Sequence, residues 1–227
     1  MVWCHERKII FVHIPKTAGS SIEKALGLFR SGNENGYGYD SKVIDGRSVA
    51  LQHLLPGGIR KIIGEEAFSR YTKFTVCRNP YNRIVSEYHW RARNKLLPVH
   101  RNPYNRIASG YHWRARNKLG PVRSFDSFLD EVENVIKNNL FNSISDHLIP
   151  QSDFIYDSEG NQVVDHLFRF EKLDKVEQFL QDNFGTNKLE HLEASIPDVK
   201  KIVLTNEQKE RVYKLYERDF RLLGYDK

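Results

Sequence analysis

Lys8-Ile9-Ile10-Phe11-Val12-His13-Ile14-Pro15-Lys16-Thr17-Ala18-Gly19-Ser20-Ser21 begins as a nearly continuous apolar run and ends as a polar turn. A short run rich in β-branched residues is the pattern of a strand buried on both faces of a parallel sheet. Ile22, Ala25, Leu26 and Phe29 then recur at helical spacing, so the order is strand, loop, helix, half of a βαβ unit. Tyr71 to Cys77 is a second strand of this kind, closed by Arg78-Asn79-Pro80. Pro80 suits the first turn of a helix, which has free amides in any case, and Tyr81 to Lys95 follows with Ile84, Val85 and Tyr88 on one side. Between the two units, glycine-rich Ser31 to Arg47 predicts a long loop. Val49 to Leu51 is a short apolar run, and Pro56 precedes a helical pattern through Ile59, Ile62 and Ile63, resumed at Ala67 and Phe68. Further on, Ser124 begins a helix carrying Phe125, Phe128, Leu129, Val132 and Ile136. Asp153 to Tyr156 and Gln162 to Phe168 flank a turn-rich stretch that reads as a hairpin or tight reversal. Leu173, Val176, Phe179, Leu180 and Phe184 form another helical stripe, and Thr205 to Gln208 fits a capping box before a closing helix. Strands alternating with helices make this an α/β fold with a central, mostly parallel sheet flanked by helices.

A length of 227 residues fits one domain at a prior of roughly 150 residues each, spanning residues 1–227. With 40% hydrophobic and 28% charged residues the composition is that of an ordinary globular protein, which excludes collagen-like, coiled-coil and disulfide-scaffold classes. No apolar stretch approaches the roughly 18 residues a membrane helix requires, and the first residues show no secretory h-region. Cys4 and Cys77 fit no metal spacing and read as reduced thiols in a cytoplasmic setting.

The net charge of +6 raises the question of nucleic-acid or membrane partners, and a repeat removes most of it. Arg78 to Val99 reappears 23 positions later as Arg101 to Val122, with only Val85→Ala108, Glu87→Gly110 and Leu97→Gly120 changed. The second copy carries five basic residues and no acid, so the excess charge traces to a copied helix rather than to a nucleic-acid surface. Residues 100–122 read as a duplicated helical insert. The first copy is the better candidate for the sheet. Lys73 to Cys77 is a credible strand before it, whereas Pro98 spoils the run before Arg101 and Gly110 weakens the second helix by about 1 kcal/mol.

A turn between a buried strand and a helix presents free amides and a positive dipole end, so Lys16, Thr17, Ala18, Gly19, Ser20 and Ser21 make a natural phosphate cradle. A strand-to-helix turn with a solvated lysine and a capping serine is the plainer alternative. The segment is not a Walker A loop, because Lys16 precedes Gly19 by three residues instead of following it; a kinase or ATPase is thereby disfavoured. Arg78 ends the second strand and Ser86 lies on its helix, and together they offer a grip for one more phosphate. Two grips imply a ligand phosphorylated at both ends.

With these residues in place, the chain resembles the nucleotide-activated sulfotransferases of the family-2 type, which include the heparan 2-O- and chondroitin sulfotransferases. Phe11 to Ser21 is similar to that family's 5′-phosphosulfate loop, and Phe74 to Arg83 with Ser86 to Tyr88 to its 3′-phosphate element. Val164 to Leu173 is similar to its C-terminal strand-to-helix segment. The resemblance implies a P-loop-NTPase-like three-layer sandwich. It also implies the sulfuryl donor 3′-phosphoadenosine-5′-phosphosulfate (PAPS), the bisphosphate product PAP, a hydroxyl-bearing (or amine) acceptor such as a carbohydrate or small metabolite, and no metal. Lys16 would neutralise the leaving phosphate. The acceptor needs a base whose pKa lies near the operating pH, and His53 is the choice because it lies between the two grips and matches a histidine the family uses in that role. His13 more naturally orients the loop; His147 and Glu65 are reserves. The competing readings are a nucleotide- or anionic-glycan-binding module that has lost turnover and a P-loop small-molecule kinase.

Overall fold

The computed structural model describes residues 2–28, 41–44, 47–93, 124–142, 145–186, 188–190 and 202–227. In chain order the elements are β1 (Val2–Cys4), β2 (Ile9–Val12), α1 (Gly19–Ala25), β3 (Ser41–Ile44), β4 (Arg47–Ala50), α2 (Pro56–Ile63), α3 (Glu65–Arg70), β5 (Thr72–Cys77) and α4 (Pro80–Arg93). They continue as α5 (Phe125–Lys137), α6 (Ser152–Ile155), β6 (His166–Arg169), α7 (Leu173–Phe184), α8 (Asn206–Leu215) and α9 (Glu217–Leu223). The main sheet runs β1-β2-β5-β6. β2, β5 and β6 are parallel, with Phe11 opposite Phe74 and Val76 opposite Phe168, and β1 adds an antiparallel edge.

The apolar runs explain the central positions of β2 and β5. Ile9 to Val12 are all buried, as are Lys73 to Cys77, and a strand buried on both sides needs cover on both faces. Side chains alternate accordingly. Ile10, Val12 and Cys77 pack with Ile59 of α2, Phe68 of α3, Phe154 of α6 and Leu223 of α9. Ile9, Phe11, Phe74 and Val76 pack on the opposite side with Ile22 of α1 and Val176 and Leu180 of α7. A third apolar cluster joins α4, α5, α8 and α9 through Ile84, Phe128, Leu129, Val132, Val212 and Phe220. Full burial of each such side chain contributes about 1.5–3 kcal/mol.

Three details differ from the sequence reading. Val2 to Cys4 forms a strand, because β2 offers an open edge to pair with. Part of the glycine-rich stretch, with the residues after it, pairs as the antiparallel hairpin β3-β4. The reversal near Asp157 is present as a single Tyr156–Gln162 bridge. Its first arm, however, is the helical turn α6, and its second arm supplies β6 to the main sheet rather than pairing back, since β5 still has a free edge. The insert 100–122, including Arg101 and Ser109, lies outside the described residues.

Candidate active site

β2 and β5 are neighbours and parallel, so the turns that follow them, His13–Ala18 and Arg78–Asn79, leave from one edge of the sheet, where open α/β folds place their ligands. They touch. Arg78 Nη1 donates to the Lys16 carbonyl at 3.0 Å.

The first turn is tightly built. Lys16 and Ala18 both have φ of 69°, and non-glycine residues held in this left-handed region cost on the order of 1 kcal/mol or more each. Thr17 is fully buried, and its hydroxyl donates to the Ile14 carbonyl at 2.7 Å. That proton holds the loop and does not point to a ligand. Ala18 O accepts from the Ser21 and Ile22 amides at 3.1 Å and starts α1; Ser20 and Ser21 are half-buried in that first turn. At Gly19 a Cβ would lie 1.9 Å from His13 Nε2, so the His13 ring occupies the space a side chain would fill.

Arg78 is positioned from three sides. Its guanidinium lies 4.1 Å from the Phe170 ring centroid. The Gln151 side-chain amide brackets its backbone, accepting from Arg78 N at 2.9 Å and donating to Arg78 O at 2.8 Å. Asp219 in turn accepts from the Gln151 and Ser152 amides. Asn79 caps α4 by accepting from Tyr81 N and Asn82 N, and Glu171 accepts from Asn79 N at 2.8 Å. Arg78 Nε is buried with no acceptor among the described residues. An orphaned guanidinium nitrogen suits an anion. Ser86 is half-buried on α4.

Three histidines distant in sequence meet behind the Lys16 turn. The His53 ring lies 4.7 Å from that of His13 and 4.7 Å from that of His147, edge-on to both. His13 Nδ1 donates to Glu23 Oε1 at 2.6 Å, and Gln52 donates to the other oxygen of Glu23 at 3.2 Å. His53 Nδ1 lies 3.2 Å from the His13 carbonyl, which only accepts, so the proton is on Nδ1 and Nε2 keeps its lone pair. Burial pulls His53 well below the ordinary imidazole range, and its neighbours His13 and His147 add to this. Burial also lowers His13, against the opposing pull of Glu23. His147 Nδ1 pairs with Glu87 Oε2 at 2.8 Å, and Arg91 Nε donates to Glu87 Oε1 at 2.7 Å. Burial pushes the Glu87 carboxyl up, but His147 and Arg91 outweigh it and hold the group at about 2. Trp90 spans the gap to the loop, 4.6 Å from His147 and 5.3 Å from the Lys16 ammonium.

Lys16, Arg78, His13, His53 and His147 therefore share one edge of the sheet. Glu65 does not join them; it is exposed on α3 and pairs with Arg60 at 3.2 Å. Glu23, Gln52, Arg83, Glu87, Trp90 and Phe170 belong to the surroundings of the site, and sequence reasoning gave none of them a role, although Arg83, Glu87 and Phe170 fall within the stretches similar to the family's. The i,i+4 spacing of Glu87 and Arg91 was a further signal for this group. Among the described residues no group of three or more His, Cys, Asp or Glu side chains is arranged to hold a metal, and no helix is long and apolar enough to cross a membrane.

The family-2 sulfotransferase model, described as the sulfotransferase family, matches residues 1–226. The chain belongs to this sulfotransferase family. No curated protein and no solved structure matches it. Membership supports sulfuryl transfer as the general chemistry of the sulfotransferase, on a scaffold whose sheet edge gathers cations and imidazoles.

Proposed function

We propose that the protein transfers a sulfuryl group from PAPS to an acceptor hydroxyl. The observation that carries this reading is the 3.0 Å contact between Arg78 and the Lys16 carbonyl; it brings the two cationic turns together, as binding both ends of one doubly phosphorylated adenosine would require. Lys16 and the turn through Ser21 would hold the 5′-phosphosulfate, and Arg78 and Ser86 the 3′-phosphate; helices on both faces of the sheet support the P-loop-like reading. The donor set fits an anion: an ammonium, a guanidinium whose buried Nε has no acceptor among the described residues and the amides of a strained turn. In the reaction the acceptor oxygen bonds to sulfur while the bond from sulfur to the 5′-phosphate oxygen breaks, leaving its electron pair on the bisphosphate. The hydroxyl proton passes to His53 Nε2, and Lys16 offsets the charge developing on the leaving oxygen. Thr17, its hydroxyl engaged inside the turn, shapes the loop.

Calorimetry with adenosine 3′,5′-bisphosphate and a radiolabelled sulfate-transfer assay test this together. Arg78→Ala is expected to weaken bisphosphate binding at least about tenfold, as loss of a charge-assisted pair should, with Arg101→Ala close to the parent. His53→Ala is expected to abolish transfer and leave bisphosphate binding intact. Loss of affinity on Arg101→Ala alone would move the 3′-phosphate to the second copy, and near-normal transfer by His53→Ala would remove the assigned base.

A further inference from the structure

His53 alone is a poor place to leave a proton. It is 7% exposed, its Nδ1 faces a backbone carbonyl, and among the described residues its ring packs against two other imidazoles rather than a carboxylate. The carboxylates stand one ring further out on each side, giving the series Glu23, His13, His53, His147, Glu87. The two flanks are unequal. The His13 ring is packed onto Gly19, with Nε2 1.9 Å from where a Cβ would be, and so has no room for a substrate. His147 instead lies against Trp90, whose ring reaches the Lys16 ammonium.

We propose that the Glu87–His147 pair, its carboxylate buried and its imidazole partly so, is a positioning dyad, presenting to His53 an imidazole held in one tautomer and backed by a negative charge, so that the proton taken from the acceptor is accommodated within the site. This rests on the transfer reaction above. Ionised Glu87 can only accept, so His147 carries its proton on Nδ1 and turns Nε2 away from the carboxylate, the logic by which a buried acid orients a catalytic histidine. The dyad is itself clamped. Arg91 donates to Glu87 and, at 3.0 Å, to Glu131 of α5. Arg83 donates at 3.0 Å to the carbonyls of both His147 and Ile149. Among the described residues, the charged groups facing the series are thus Glu23 from α1, Lys16 from the loop, Arg83, Glu87 and Arg91 from α4, and Glu131 from α5, with Asp146 buried beside His147 in its own turn. Sequence supplies an internal contrast: the second copy has Gly110 where the first has Glu87, so it lacks the carboxylate the dyad requires.

Glu87→Gln tests the proposal in the intact protein. It removes the negative charge while keeping a hydrogen-bonding group, so protonation of the cluster becomes harder. The expected result is a kcat lowered about tenfold or more, an acid limb of the kcat profile displaced to lower pH, and a matching shift in the 15N imidazole titration. Bisphosphate affinity should stay within about twofold of the parent, and Glu87→Asp should restore part of the rate. An unmoved acid limb and unmoved imidazole titration, or equal losses in the Gln and Asp variants, would overturn the dyad and leave the transfer reaction standing. Absence of both bisphosphate binding and transfer in the parent would overturn the reaction and the dyad together. Should Glu87→Gln not fold, His147→Gln, which keeps a donor toward Glu87, is expected to show the same loss of kcat with bisphosphate binding retained; parental kcat in that variant would count against the proposal.

Discussion

Gly19 shows how a single missing atom sets the site. The His13 ring sits where a Cβ would be, and the ring cannot step aside, because Nδ1 is bonded to Glu23 and its face lies 5.6 Å from the Phe11 ring. Gly19→Ala is therefore expected to destabilise the protein by about 1–3 kcal/mol, as overpacking does, despite alanine's better helix propensity. The midpoint of urea unfolding measures this, and an unchanged or raised midpoint would show that the ring yields freely. At this scale the sequence was informative about residue types and silent about their partners. Lys16 and Arg78 stood out by charge and place in the chain. That Thr17 turns its hydroxyl inward, or that Phe170 lies under Arg78, follows from packing that no local pattern records.

Among the elements, α4 carries the most functions on one helix. Its start is capped by Asn79 beside Arg78, its next turn lashes the 145–148 turn through Arg83, and its later turns bring Glu87, Trp90 and Arg91 to the histidines. Arg83 is 2% exposed and bonds two carbonyls of the segment that bears His147. Replacing it with methionine keeps volume and strands both acceptors, each worth about 1–3 kcal/mol when left unpaired. Arg83→Met is thus expected to lose about 3 kcal/mol in chemical denaturation and to lower kcat by displacing His147. A loss below about 1 kcal/mol would show that water replaces the guanidinium. The helix itself was readable from Pro80 and from Ile84, Val85 and Tyr88. Apart from Ser86, the roles of its polar residues were not, because in a helix that meets the sheet edge the buried face includes charged groups satisfied by other segments, and an apolar stripe marks only part of that face.

For the whole molecule, acid is the expected point of weakness. His13 and His53 are held below the ordinary imidazole value of 6.5 by burial, so the unfolded chain binds more protons than the folded one once pH drops below about 6.5, and stability falls. Glu87 is held at about 2 against an ordinary 4.5; its contribution is complete above 4.5 and is lost as pH falls from there toward 2. Both act in the same direction. Thermal midpoints measured from pH 8 to pH 3 are expected to decline in two stages, beginning near 6.5 and again near 4.5, and a flat profile down to pH 5 would contradict the buried neutral histidines. Taken alone, the sequence determined the strand-turn-helix units, the cationic turns after β2 and β5 and the central place of those strands, because apolar periodicity and the chemistry of proline and glycine act between near neighbours in the chain. The pairing of β1 and β6 with the sheet, and the meeting of His13, His53 and His147 with their carboxylates, were decided only in three dimensions. Residues separated by 40 or more positions, as His13 and His53 are, come together when helices pack on a common sheet edge, and that packing depends on side-chain volume and satisfied buried charge rather than on any repeating local pattern.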